Sequence, residues 1–306
     1  MRAIVATRLG GPEVLELQDV PEPVAGHGQV LVRVHRAGVN FADLASTLGR
    51  YAQAPEPPFI PGLEVAGREV EGGRAVFAVI AGGGYAEVAA ADSRFVWSAE
   101  GLDLDVAGGY PLAGLTAYHA LHHVGRLQKG ETVLVSGAAG GVGSASIQAA
   151  IALGAGRVIA VASTPEKRDF ALELGATEAI GYEDPIPGRV DVFVDMVGGE
   201  IFGRVLEAMA PFGRMVLIGS SSGHLQQIPG VGDLRVRGVG VLPFSMGALR
   251  ANHPDLFART AAEGIELIRS GRLRPPVVRV LPLTEAAEAH RLLGGRASTG
   301  KVLLAI

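Results

Sequence analysis

The chain has 306 residues, 48% of them hydrophobic and 19% charged, with a formal net charge of −4. That supplies apolar material for two domains of ordinary size, and the mild acidity leaves no electrostatic footprint for nucleic acid or an anionic membrane. Cysteine is absent, which excludes disulfides, iron–sulfur clusters and cysteine-ligated zinc.

The first hundred residues read as short strands and turns. Gly10-Gly11-Pro12 and Pro21-Glu22-Pro23 mark turns, and 29–36 is a β-branched strand. Residues 39–48 carry a short helical pattern, followed by a Pro-rich segment at 54–61. Segments 63–69, 75–80 and 85–90 are strand-like and separated by glycines. This part predicts a β-rich domain with little helix.

The pattern changes near Leu112. Residues 115–124 read as a helix, 132–136 as a compact apolar strand, and a glycine-rich turn leads into a helix over 142–153. Strands at 158–162, 179–182, 190–196 and 214–218 then alternate with helices at 165–174 and 200–209. Such alternation implies crossover connections and a doubly wound parallel sheet. After a loop at 220–229 come a strand over 234–242 and a helix over 255–270. The tail offers a β-like segment at 277–281, a helix at 285–293 and a final strand at 302–306. It is expected to return to the first domain, leaving the α/β domain as an insertion.

The strongest motif is Thr132-Val133-Leu134-Val135-Ser136-Gly137-Ala138-Ala139-Gly140-Gly141-Val142-Gly143. Strand, turn and helix follow in the order a pyrophosphate site requires. Small residues from Ala138 to Gly141 let the backbone approach a diphosphate, free N–H groups and the helix dipole favour the anion, and Gly143 permits tight helix–strand packing. The spacing is GxxGxxG rather than GxGxxG, so its meaning comes from the strand–helix context, and an ordinary Gly-rich turn is the alternative.

An NAD enzyme places an acid on the adenosine ribose about 20 residues past the glycines. Here the second strand ends Ala162-Ser163-Thr164, with Lys167 and Arg168 following. Hydroxyls and cations can bind a 2′-phosphate that an acid would repel, which points to NADPH. The alternative is two solvated charges on a helix's first turn, where the dipole would favour acids.

These residues resemble the quinone oxidoreductase (zeta-crystallin-like) branch of the zinc-free medium-chain dehydrogenase/reductase superfamily. The resemblance runs in order through Gly10–Leu15, Gly38-Val39-Asn40-Phe41-Ala42-Asp43, Pro61–Gly67 and Leu115-Thr116-Ala117-Tyr118. It continues through Ala138–Gly143, Gly175-Ala176, Asp195-Met196-Val197-Gly198 and Arg296-Ala297-Ser298-Thr299-Gly300-Lys301. It implies a doubly wound Rossmann domain, 114–262, inserted in a GroES-like β-rich catalytic domain, 1–113 and 263–306, with the cofactor in the cleft between them. By resemblance, Asn40 and Thr116 lie beside the nicotinamide and its ribose. Ala139, Gly140, Gly141 and Val142 meet the pyrophosphate, and Ser163, Lys167 and Tyr182 surround the 2′-phosphate. Val197, Gly219 and Ser220 line the cofactor, and Arg296 reaches it from the tail. Without the resemblance, Tyr182 would read as a buried aromatic at a strand end.

Metal-using relatives place a Cys ligand at the position of Asn40 and a His ligand at that of Leu63, so catalytic zinc is not expected. His119, His122 and His123 share a helical spacing but lack the interposed Glu of HExxH, and they read as a helix surface or packed polar patch. The chain departs from close relatives at Leu63, where a Thr is frequent, at Ala45, where some carry Tyr, and in a short 69–74 segment.

The implied chemistry is hydride transfer from NADPH to a quinone or similar conjugated carbonyl. Charge developing on the acceptor oxygen then needs hydrogen-bond donors, for which the Asn40 amide and the Tyr51 hydroxyl are the candidates. A quinone needs less help than a simple ketone because its product is aromatic. Reduction of a 2-alkenal or enone at its double bond is the rival reaction. A non-catalytic, crystallin-like NADPH-binding protein is the rival of another class. Met1 to Ala6 is too short an apolar run for a secretory signal, and no stretch reaches the ~18 apolar residues of a membrane span, so a cytoplasmic protein is expected. The apolar segment 236–242 suits a sheet edge that pairs two copies into a homodimer.

Overall fold

The computed structural model describes residues 1–296 and 298–306; Ala297 of the closing motif lies outside them. In chain order, β1 (Arg2–Ala6) and β2 (Leu15–Asp19) form an antiparallel pair. Next come β3 (Gln29–Val39), α1 (Phe41–Thr47), β4 (Glu64–Glu69), β5 (Ala75–Val79), β6 (Val88–Asp92), β7 (Val96–Ser98) and α2 (Leu104–Ala107). Helix α3 (Pro111–Tyr118) leads into a π-helical turn, His119–Val124. Then β8 (Thr132–Val135), α4 (Gly141–Ala152), β9 (Arg157–Val161), α5 (Pro165–Glu173), β10 (Glu178–Ile180), β11 (Val190–Asp195), α6 (Glu200–Ala208) and β12 (Met209–Leu217) alternate. The chain closes with α7 (Val231–Arg237), β13 (Gly240–Pro243), α8 (Met246–Asn252), α9 (Pro254–Arg269), β14 (Val277–Pro282), α10 (Ala286–Gly294) and β15 (Lys301–Ala305).

Two compact units result. The β-rich one comprises Met1–Ala113, Gly247–Arg269 and Pro276–Ile306; the α/β one comprises Gly114–Met246 and Ser270–Pro275.

In the β-rich unit the sheet runs β14-β15-β3-β4-β5-β7, with β6 also paired to β3. β3 is long enough, at 11 residues, to serve three partners along its length. The tail strand β15 joins it antiparallel, Val302 opposite Val39. Val32 and Val34, then Ala37 and Val39 beyond a register shift between Val34 and Arg36, enter a core with Val65, Val76, Leu281 and Leu304. A residue at every second strand position meets the same face, so this pattern positions both the core and the polar end of β3.

In the α/β unit all six strands are parallel, in the order β10-β9-β8-β11-β12-β13. The order reverses beside β8, the place where open sheets of this kind bind ligands past the strand C-termini. Leu134, Ile159, Phe193, Phe202 and Met215 form its core. Both strand faces are covered, which is why these strands read as continuous apolar runs.

Three expectations need correcting. The strand expected over 234–242 is instead helix α7 followed by the short edge strand β13. Asp233 in the first turn and Arg235 and Arg237 in the last complement the helix dipole, and Gly238 at φ 65° caps the end. The segment expected as a strand from 85 pairs regularly only from Val88. The helix over 115–124 starts earlier, at Pro111, and its second half widens into the π-helical turn. Helix α8 was not anticipated.

Candidate functional site

The polar end of β3 and the start of α1 build a buried network in the β-rich unit. Asn40 is the N-cap of α1, and its backbone N–H donates to Asp43 Oδ2 at 2.8 Å, half of a capping box. Lys301 Nζ donates to Glu64 Oε1 (2.7 Å), Asn40 Oδ1 (2.6 Å) and Val39 O (3.2 Å). All three ammonium protons are therefore used. The Asn40 amide nitrogen donates to Glu64 Oε1 at 3.0 Å and Gly38 O at 3.3 Å, and Glu64 Oε2 accepts Leu112 N–H at 2.8 Å. The Lys301 and Glu64 side chains are 2% and 0% exposed, so neither charge has water to fall back on. The structure thus turns both ends of the Asn40 amide inward, into a fixed orientation.

Behind this network Asp43 accepts Gly62 N–H at 3.1 Å and the Tyr85 hydroxyl at 3.3 Å, and Tyr85 Oη lies 3.2 Å from His290 Nε2. Burial pushes the Asp43 carboxyl up to about 7, against the opposing pull of the Asn40 N–H and Lys301. Burial also raises the Tyr85 phenol well above its usual range. It lowers the His290 imidazole to about 4, and Nδ1 of that ring has no partner among the described residues.

Asp43 also lines a small pocket of the same unit, with Ser46, Tyr51, Gln53, Gly62 and Leu63. Tyr51 is half-buried, and desolvation raises its phenol while Arg250 opposes the rise. Its hydroxyl fills the space that a Cβ at Gly247 would take. The pocket therefore combines the Tyr51 phenol, the Asp43 carboxyl, the Ser46 hydroxyl and the Gln53 amide with apolar walls that include Phe59, Ile60 and Leu63.

In the α/β unit the turn after β8 closes on itself: Gly140 N–H donates to Gly137 O, and Ala138 N–H donates to Val161 O on β9. Helix α4 opens at Gly141 with no side-chain cap, so the first-turn N–H groups of Gly141, Val142 and Gly143 point out of the helix end unsatisfied by it. A Cβ at Gly143 would collide with Gly137 O and come within 2.8 Å of Ala138 Cα. Only glycine permits this approach. A 12-residue helix with an uncapped start, behind a close-packed turn of small residues, fits a dinucleotide diphosphate.

Beside the turn, Thr164 caps α5, accepting Lys167 N–H at 3.3 Å. Ser163 is exposed and Lys167 half-buried. Tyr182, just past β10, accepts Gly137 N–H on its hydroxyl at 3.0 Å, so one of the expected neighbours of an adenosine phosphate meets the glycine turn. The Arg168 guanidinium reaches back to Ala162 O at 3.4 Å, over the end of β9. Val197, Gly219 and Ser220 lie at the C-terminal ends of β11 and β12, and Thr116 on α3 donates to Met246 Sδ at 3.4 Å. Arg296 is exposed, with φ 55°.

Lys301, Glu64, Asp43, Tyr85 and His290 were not anticipated as a network. The available signal was a Glu and an Asp inside apolar segments of a small-residue chain, since buried charges require partners.

The three histidines pack on Tyr118 and on one another. His119 is buried, and its Nδ1 lies 2.7 Å from Leu115 O; burial, with His123 and His122 adding to it, lowers the ring to about 4. Tyr118 stacks on His122 at 5.1 Å between ring centres. His119 and His290 give a pH signature. Above pH 6.5 an imidazole is neutral in folded and unfolded chains alike; below it the unfolded chain takes the proton while these buried rings refuse it until about 4. Their contribution to stability is thus lost as pH falls from 6.5 toward 4. Melting temperatures across that window should decline less steeply in His290→Phe than in the wild type; equal slopes would remove His290 from this role.

Residues 153–304 match the family model described as zinc-binding dehydrogenase, and 26–101 match the alcohol dehydrogenase GroES-like domain. The donor set does not fit a zinc ion: the chain lacks cysteine, and among the described residues no group of three or more His, Asp or Glu is arranged to hold a metal. The chain is 34% identical over 325 residues to quinone oxidoreductase-like protein 2 of Bos taurus, spanning 100% of this chain and 92% of that one. It is 34% identical over 327 residues to quinone oxidoreductase of Sus scrofa, spanning 99% and 97%. The solved quinone oxidoreductase of Thermus thermophilus, also determined in complex with NADPH, aligns with a TM-score of 0.89 and 40% identity over 100% of both chains. A GroES-like sheet closed by the tail strand, a Rossmann-type parallel sheet and full-length relatives coincide in one polypeptide, which belongs to the quinone oxidoreductase branch of the medium-chain dehydrogenase/reductase superfamily.

Proposed function

We propose that this oxidoreductase uses NADPH to reduce a quinone or a similar conjugated carbonyl compound without metal. What supports the reading is the end of β9: no acid stands at 162–164, Tyr182 meets the glycine turn, the Arg168 guanidinium reaches Ala162 O, and Ser163 and Lys167 flank the start of α5 in sequence. A 2′-phosphate would find cations and hydroxyl donors where a ribose-binding acid would repel it. Gly141 and Val142 would hold the diphosphate on the first-turn N–H groups of α4, with Ala139 and Gly140 as the small-residue turn that lets it approach. Val197, Gly219 and Ser220 would line the dinucleotide, with Thr116 at its ribose and Arg296 completing the set from the tail.

The bound nicotinamide supplies the hydride; the chain supplies alignment and hydrogen bonding. The conjugated carbonyl would approach the mouth of the small pocket beside Tyr51. The Tyr51 phenol donates to the oxygen on which charge develops, at no reorganisation cost because the hydroxyl is already seated against Gly247. Asn40 provides a rigid wall, its amide fixed by Lys301 and Glu64. A quinone suits a site without a dedicated acid, because aromatisation of the product lowers the demand for acid catalysis.

Lys167→Ala is expected to raise the Michaelis constant for NADPH by about tenfold or more, the cost of a charge-assisted hydrogen bond, and to leave that for NADH nearly unchanged. Parallel changes for both nucleotides would place Lys167 outside the phosphate pocket. A panel of quinones against enals and enones, followed by NADPH oxidation, tests the acceptor: faster turnover of the enals and enones would assign double-bond reduction instead. The edge position of β13 supports a homodimer formed by strand pairing, and a monomer mass by light scattering at micromolar concentration would contradict it. A cytoplasmic location is part of the proposal; among the described residues no helix is long and apolar enough to cross a membrane.

A further inference from the structure

Asp195 is fully buried at the C-terminal end of β11, one strand from β8, where the order reverses. Its Oδ1 accepts from the Ser136 hydroxyl (2.7 Å), Val197 N–H (2.9 Å) and Gly198 N–H (3.1 Å). Its other oxygen accepts from Gln226 Nε2 at 2.8 Å, and that same nitrogen donates to Gly219 O at 2.9 Å. An amide nitrogen carries two protons, and both are committed here. Backbone bonds run alongside, from Ser221 N to Met196 O and from Ser222 N to Val197 O, each 3.0 Å. Gly198 has φ 69°, and a Cβ there would sit 2.5 Å from His224 O and 3.3 Å from Gln226 Nε2. The loop after β12 therefore lies directly on the turn after β11.

We propose that Gln226 is a positioning residue for dinucleotide binding: by bridging Asp195 and the Gly219 carbonyl it pins the 219–226 loop onto the 196–198 turn and holds Val197, Gly219 and Ser220 as one wall. The inference rests on the reading that those three residues line the dinucleotide. Both partners of Gln226 are acceptors, so the position requires a donor. Neither backbone bond reaches past Ser222, and the Gln226 side chain is what returns the far end of the loop to the sheet. Without it the far end of the loop is held less directly, through the hydrogen bonds between His224 and Ser222, and more of the wall must be ordered when a nucleotide binds.

A carboxylate at position 226 would face the Asp195 carboxylate and lose its donation to Gly219 O; protonating it would remove the repulsion and supply one O–H, enough for one of the two acceptors. The titratable groups nearby are Asp195 across the hydrogen bond, His224 on the same loop and Glu200 at the first turn of α6. The Ser136 hydroxyl and the N–H groups of residues 197 and 198 complete the surroundings.

The test compares NADPH dissociation constants of the wild type, Gln226→Ala and Gln226→Glu between pH 5.5 and 8, each normalised to the wild type at the same pH. Hydrogen exchange over 219–226 provides a second readout. Gln226→Ala is expected to weaken binding about tenfold at every pH, the loss of hydrogen bonds to a charged acceptor. Gln226→Glu should bind more weakly than Gln226→Ala at pH 8 and recover toward the wild type as pH falls. The Michaelis constant for NADPH should rise while the rate at saturation changes little, and exchange over 219–226 should quicken. Unchanged affinity in both variants, or a Glu defect that ignores pH, would overturn the role of Gln226 while leaving the cofactor assignment standing. A wild-type chain that binds no NADPH would instead remove the cofactor assignment, and this inference with it.

Discussion

Replacing Lys301 by Met is expected to destabilise the protein by about 3–5 kcal/mol, the usual cost of stranding a buried charge. The ammonium has three acceptors and no solvent, and removing it leaves Glu64 as an uncompensated carboxylate at zero exposure. Methionine fills most of the lysine stem's volume, so the loss reports the charge rather than a cavity. Adding Glu64→Gln to the Met variant removes the stranded charge and retains an amide that can still accept from Leu112 N–H. The double variant should therefore be more stable than Lys301→Met alone, a coupling visible in a double-mutant cycle from urea denaturation. Because Asn40 is held by both partners, the single variant should also lose turnover in excess of its unfolded fraction. A loss of less than about 1 kcal/mol in Lys301→Met would show that Glu64 sheds its charge at little cost, and the fixed orientation of Asn40 would lose its support.

The second large effect falls on the glycine turn. Gly143→Val places a branched side chain against Gly137 O and Ala138 Cα, backbone atoms that no rotamer change can move aside. Overpacking of this kind costs about 1–3 kcal/mol, and the turn must spread to relieve it. Spreading moves the N–H groups of Gly141 and Val142 out of alignment, so affinity for both NADPH and NADH should fall together. That joint loss separates the diphosphate from the phosphate pocket, where Lys167→Ala acts on one nucleotide only. Gly203→Ala is the matched control. A Cβ there meets nothing within 4 Å on α6, so the helix should gain about 0.5–1 kcal/mol with no change in binding. Wild-type stability and affinity in Gly143→Val would mean that the turn is not close-packed.

Much of the fold was legible because local pattern and tertiary environment agree. The apolar runs at 132–136, 158–162 and 190–196 are continuous because parallel strands are buried on both faces, and each became β8, β9 or β11 within a residue or two. The segment at 234–242 misled because its alternating apolar residues fit a strand as well as a helix. Charge placement and a capping glycine, rather than hydrophobic period, decide for α7. The π-helical turn was invisible for a different reason: His122 stacks on Tyr118 while His119 and His123 meet that ring edge-on, a packing that no helical period encodes.

The sequence by itself determined the class and pointed to a nicotinamide dinucleotide. Local spacing suffices there, since a strand, a glycine bend and a helix start lie within a dozen residues, and the absence of an acid at the end of the next strand can be read directly. Only the tertiary structure decided which buried charges answer one another. Lys301 meets Glu64 and Asn40 across more than 230 positions of chain, and Gln226 meets Asp195 from a different loop. Partner choice in such networks is set by sheet register and helix packing, which bring distant residues to within 3 Å and leave no trace in local pattern.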